Sequence, residues 1–245
     1  VDVPEEVTRI VRELRAQGNP VRAEAERRYL KSSFAHLGVP VPAVRRVAVA
    51  SVRVRPSRDD LLALADGLWT VTESGRPVHE VRLAAVEVLA RRVDVLEARD
   101  LAAVERLVRD SSTWALVDLL AEKVVGVMAL SCPQVAGVLD TWVGDEYMWI
   151  RRTAILALLA GIRRETPDLA RIDHYGEVLL DEKEFFIRKA IGWVLRALSK
   201  KDPAWVTDWT SRHLARMSGV TFREAVRRLP PDTAKALTQA RAATS

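Results

Sequence analysis

Cysteine is nearly missing from this 245-residue chain, with Cys132 alone. A lone cysteine forms no internal disulfide, and nothing points to an oxidising compartment. Histidine is scarce too: His36, His79, His174 and His213 are scattered, and no two stand four apart. No zinc site is expected from such dispersed donors, and no cofactor is expected either. No uncharged apolar run reaches about 18 residues, so no membrane-spanning helix is expected. The opening VDVPEEVTRI lacks the basic start and apolar run of a secretory signal. It also lacks an initiator methionine, as expected of a trimmed or partial chain. Sustained period-2 alternation bounded by hairpin turns is absent as well, and no strand is expected.

What is present suits a globular helical protein. Apolar residues make up 49% and charged residues 29%, enough to bury a substantial core. The net charge of +5 fits a nucleic acid or an acidic membrane surface as partner. GC-biased coding explains the same arginine-rich, lysine-poor composition, so charge alone does not decide.

Helical periodicity runs from end to end. Segment 80–93 carries Val81, Ala84, Ala85, Val88 and Leu89 as one apolar stripe. Segments 147–162 and 184–198 are similar and more apolar. Breaks fall at Gly38 to Pro42, Gly75 to Pro77, Pro167, Pro203 and Pro230–Pro231. The pairs Val81-Arg82, Ile150-Arg151 and Ile187-Arg188 each open a helix, at separations of 69 and 37 residues. The first spacing is close to twice the second, with a skipped unit near 114–118. Helix pairs repeating every 35 to 45 residues or so are the pattern of HEAT-like solenoids. Such stacks bind long ligands: a protein, a peptide or a duplex.

Three segments combine polar and aromatic residues unusually. In SSTWALVD, Trp114 and Asp118 share a helix face, and Ser111 or Ser112 is placed to cap the helix start. An aspartate among Leu116, Val117, Leu119 and Leu120 is costly to bury unless paired or used. Spacing alone leaves it facing solvent, pairing with a neighbouring repeat's arginine, or doing chemistry. In YMWIRRTAIL, Arg151 and Arg152 point about 100° apart, so one braces a repeat while the other reaches a ligand face. In EFFIRKAIGWVLRAL, Lys189, Trp193 and Arg196 line one face, a mixture suited to phosphate contacts beside a stacking surface. A core tryptophan with solvated flanking charges is the alternative.

Together these segments resemble the AlkD family of alkylpurine DNA glycosylases. The likeness is closest in EFFIRKAIGWVLRALSKKDP, good in WIRRTAIL and TWALVD, and extends to YLKSSFAHLGVP at 29–40. Order and approximate spacing agree over about residues 5–225. The resemblance implies an all-α fold: a HEAT-like repeat solenoid, a right-handed superhelix of stacked antiparallel helix pairs with a basic concave face, forming one domain over residues 1–245. It implies hydrolysis of the N-glycosidic bond of cationic N3- or N7-alkylated purines in duplex DNA, without base flipping and with room for bulky natural-product adducts. Some relatives protect producers of such compounds, so self-resistance is one expected role beside housekeeping repair.

Matched by position, the family's catalytic aspartate falls on Asp118, its flanking tryptophan on Trp114, its cleft arginine on Arg152 and its second cleft tryptophan on Trp193. The aromatic that contacts DNA falls on Tyr29, and the family's arginine pair on Arg45 and Arg46. Lys31, Arg151, Phe186, Arg188, Lys189 and Arg196 complete the expected DNA-contacting set. Val39-Pro40-Val41-Pro42 is richer in proline than the family's usual stretch. The expected partner is alkylated duplex DNA, bound by a monomer in the bacterial cytoplasm at the nucleoid, with no membrane and no metal. The competing reading is a non-catalytic HEAT-repeat module that binds DNA or protein.

Overall fold

The computed structural model describes residues 2–244. The chain divides into two compact units, one up to Leu120 and one from Ala121 onward. Both are built from helices, in agreement with the expected all-α class.

In the first unit α1 (Val3–Ala16), α2 (Pro20–Leu30), α3 (Val41–Ser51) and α4 (Arg58–Trp69) precede α5 (His79–Arg91). Short caps explain several starts: Asp2, Asn19 and Ser57 each accept a backbone N–H with the side chain, and proline occupies the first turn of α1, α2 and α3. Helices α3 and α4 pack on α5, which is buried from His79 to Leu89. That helix carries Glu80, Arg82 and Glu87, and each charge is compensated. Glu80 accepts the backbone N–H groups of Leu37, Gly38 and Val39. Arg82 lies over the rings of Phe34 and Trp69 and donates to the carbonyls of Trp69 and Asp110. Glu87 accepts from Arg45. Left unpaired, each would cost several kcal/mol.

Between α4 and α5 stands a minimal hairpin, β1 (Thr72–Glu73) and β2 (Arg76–Pro77). It corrects the expectation of no strand. Its turn residues Ser74 and Gly75 both have positive φ, 50° and 74°, the geometry that matches antiparallel strand twist. Strands of two residues are too short to show alternation, so periodicity missed them. Helices α6 (Leu101–Ser111) and α7 (Trp114–Leu119) close the unit. The cap of α7 is Thr113, whose hydroxyl accepts from Ala115 N. Neither candidate serine takes that place: Ser111 donates to Leu107 O within α6, and Ser112 ends α6 with φ 48°. Helix α7 continues into a π-helical turn, Leu120–Val125.

The second unit holds α8 (Gly126–Ser131), α9 (Pro133–Trp142), α10 (Met148–Ala157), α11 (Leu159–Arg163), α12 (Leu169–Leu179), α13 (Phe185–Leu198), α14 (Pro203–His213), α15 (Gly219–Val226) and α16 (Pro231–Thr244). The segment expected as one helix over 147–162 is broken at Leu158, where a tight i→i+3 bond to Ile155 O separates α10 from α11. Helix α13 packs on α10 and most heavily on α15.

The repeat period is visible in the ion pairs. Arg45–Glu87, Arg58–Asp100 and Asp66–Arg106 in the first unit span 42, 42 and 40 residues. Glu122–Arg163, Glu165–Lys201 and Asp181–Arg216 in the second span 41, 36 and 35. Arg151 and Arg188 are equivalent: each donates to the carbonyl six residues earlier, Asp145 and Glu182. Arg82 does not share that role. Buried over aromatic rings, it behaves like Arg152.

Candidate active site

In the first unit the expected aromatic pair meets. Tyr29, one residue from the end of α2, is 74% exposed, and its ring stands edge-on to Trp114 at 6.1 Å. Asp118 follows Trp114 by one turn of α7 and is half-buried, as is Trp114. The π-helical turn begins two residues later. Such turns widen the helix locally and recur at functional sites. Lys31 caps α2 in the left-handed region (φ 49°) and is exposed. Arg45 and Arg46 are exposed on α3 and line a cleft of about 440 Å³ with Arg53 and Arg91. Arg45 is partly committed, because its guanidinium also binds buried Glu87 at 2.9 Å.

In the second unit Arg152 is buried on α10. Its guanidinium lies 5.7 Å from the centre of the Phe186 ring and donates to the Phe186 carbonyl. Phe186 packs on Trp149 at 5.1 Å and on exposed Phe185 at 5.6 Å. Arg151 acts as a brace: it donates to the carbonyls of Asp145 and Glu146 and pairs with Glu182 at 2.7 Å. Arg188 is held by the Glu182 carbonyl.

The Lys189, Trp193 and Arg196 stripe lies on α13, with Trp193 half-buried. Its two cations converge on one carboxylate, Glu224 of α15, with Lys189 Nζ at 2.7 Å from Oε1 and Arg196 bonded to Oε2. Burial raises the Glu224 carboxyl, but the two cations outweigh it and hold the group below the ordinary range. Gly192 permits this approach, since a Cβ there would lie 2.6 Å from Glu224 Cβ. Lys189 stays 45% exposed. Sequence reasoning missed Glu224, and missed Glu80, which fixes the loop following Tyr29: Glu224 lies outside the recognised motifs, and Glu80, although it adjoins the Val81-Arg82 pair, finds its partners 41 to 43 residues away.

The described residues include no helix long and apolar enough to cross a membrane. A search of curated proteins found no match. Among solved structures the chain is similar to one described as "Predicted DNA alkylation repair enzyme from Enterococcus faecalis". The two superpose with a TM-score of 0.77 at 24% identity, over 88% of this chain and 98% of that one. This likeness shows the fold. A family model described as "DNA alkylation repair enzyme" matches residues 10–229. Because that match covers most of the chain, including Trp114, Asp118, Arg152 and Trp193, the protein belongs to the AlkD-like DNA alkylation repair enzyme family.

Proposed function

We propose that the chain is a monofunctional DNA glycosylase that hydrolyses the N-glycosidic bond of cationic N3- or N7-alkylated purines in duplex DNA. It acts as a monomer and as one functional domain over residues 1–245. The observation that carries this reading is a half-buried carboxylate, Asp118, one turn from Trp114 and its Tyr29 neighbour, in a chain of this family.

A purine alkylated at N3 or N7 is already positively charged. When the C1′–N bond breaks, the electron pair stays with the purine and neutralises it, so no general acid is needed. Positive charge instead develops on the deoxyribose. Asp118 stabilises that charge and positions the water whose oxygen bonds to C1′ as one of its protons passes to solvent. A preorganised group of this kind contributes about 3–4 kcal/mol. Trp114 and Trp193 attract the cationic sugar and base by about 0.5–2 kcal/mol each. Arg152 holds a backbone phosphate. Tyr29, Lys31, Arg45 and Arg46 contact the DNA backbone, as do the second unit's Phe186, Lys189 and Arg196; Arg151 and Arg188 support those contacts. Backbone recognition leaves the lesion stacked and admits bulky adducts, which suits self-resistance as well as repair. No lysine stands in a motif for a Schiff base, so the product is an intact abasic strand.

Methylated duplex tests the reading directly. Wild-type chain should release 3-methyladenine or 7-methylguanine and leave abasic sites. A non-catalytic module would bind duplex in a salt-sensitive way and release nothing.

A further inference from the structure

Glu26, His36 and Glu80 come from three elements of the first unit: α2, the loop after it and the first turn of α5. One donor atom from each lies within 4.8 Å of the others. Glu80 is buried, and Glu26 and His36 are half-buried. Both ring nitrogens of His36 are shut away from solvent with no hydrogen-bond partner among the described residues. Its ring face stacks on His79 at 4.7 Å, so the unmet nitrogens lie on its edge. Sealing such a group without a partner costs about 1–3 kcal/mol.

The two carboxylates keep acceptor capacity. Glu80 Oε1 takes the N–H groups of Gly38 and Val39 at 2.5 and 3.2 Å, while among the described residues Oε2 takes that of Leu37 alone, at 2.9 Å. Glu26 uses Oε1 for Arg22 at 2.7 Å. One imidazole with two carboxylates is a donor set for zinc, manganese or their neighbours. Donors bound about 2.1 Å from such an ion stand roughly 3.4 Å apart, so closure asks for a movement of about 1.4 Å at most.

We propose that Glu26, His36 and Glu80 bind a divalent transition-metal ion, and that the ion pins α2 to the core of the first unit. Helix α2 has reason to need it, because it contributes no buried residue of its own. It is tethered through Asn19 N to Leu37 O at 2.8 Å and by close approach to Gly38, where a Cβ would lie 2.1 Å from Asn19 O. Yet α2 carries Tyr29, whose ring meets Trp114. The ion is structural, and the inference stands apart from the glycosylase reading.

The test is cobalt(II) binding to the full chain after stripping with EDTA, followed by ligand-field absorption and equilibrium dialysis. One equivalent should bind, with affinity lowered tenfold or more in Glu26→Gln and in His36→Gln, and unchanged in His213→Gln. Circular dichroism in EDTA should match wild type for each variant. Should His36→Gln fail to fold, Glu26→Gln decides, since it replaces a half-buried residue on a helix without a core face. Absence of stoichiometric binding by wild type overturns the proposal, as does undiminished binding by Glu26→Gln.

Discussion

Replacing Asp118 by Asn keeps its size and removes its charge, which separates electrostatics from packing. Asp118→Asn should slow base release by about 100-fold or more, the usual loss for one preorganised group, while duplex affinity changes little. Release at the wild-type rate would rule out the proposed chemistry. Thr113 offers a contrast at the level of stability. Its hydroxyl caps the short helix bearing Trp114 and Asp118. Thr113→Ala should cost about 1 kcal/mol in urea unfolding. His213 titrates. It is buried against Trp209, and burial lowers its pKa. Arg212 and Arg216 push in the same direction, while Glu177 and Asp173 oppose them. The unfolded chain therefore takes the proton first. Stability is complete above about pH 6.5 and declines as pH falls through and below that value. Thermal unfolding between pH 7.5 and 5.5 should show a smaller decline in His213→Phe than in wild type.

Between α13 and α15 the decisive contact is three-membered. Glu224 binds both Lys189 and Arg196, and Gly192 gives it room. Gly192→Ala should force the two helices apart and cost about 1–3 kcal/mol, as overpacking does. Chemical unfolding measures this, and a neutral result would mean that α15 shifts freely. The same contact qualifies the basic stripe on α13. Its cations are engaged within the protein, so their attraction for phosphate is reduced although Lys189 remains half-exposed. Helical spacing of such residues shows which of them share a face, but not which partner occupies that face.

Within each unit the repeats are joined by ion pairs about one repeat apart, such as Arg58–Asp100 in the first and Arg216–Asp181 in the second. Many of these are exposed and individually worth little. Their regular spacing sets register more than it adds stability. Duplex binding is a property of the whole charge distribution. Its affinity should fall steeply with salt, and Arg46→Ala should lower the slope of log affinity against log salt by about 1 if that arginine neutralises one phosphate. An unchanged slope would remove Arg46 from the contact set.

The amino-acid sequence determined the helical class, the repeat spacing and the order of the motifs, because these depend on residues near one another along the chain. Period 3.6 marked α5 and α13, and the Trp114 and Asp118 spacing marked one helix face. Tertiary structure decided which charges are already spent and which donors converge. Arg45 on Glu87, and Lys189 with Arg196 on Glu224, pair residues 28 to 42 positions apart. Glu26, His36 and Glu80 stand 10 and 44 residues apart and follow no metal-binding spacing. The small hairpin and the break at Leu158 were hidden for another reason: each rests on a few backbone angles that composition does not register. Local order follows from neighbours in the chain, whereas a cluster drawn from separate helices exists only once packing has brought them together.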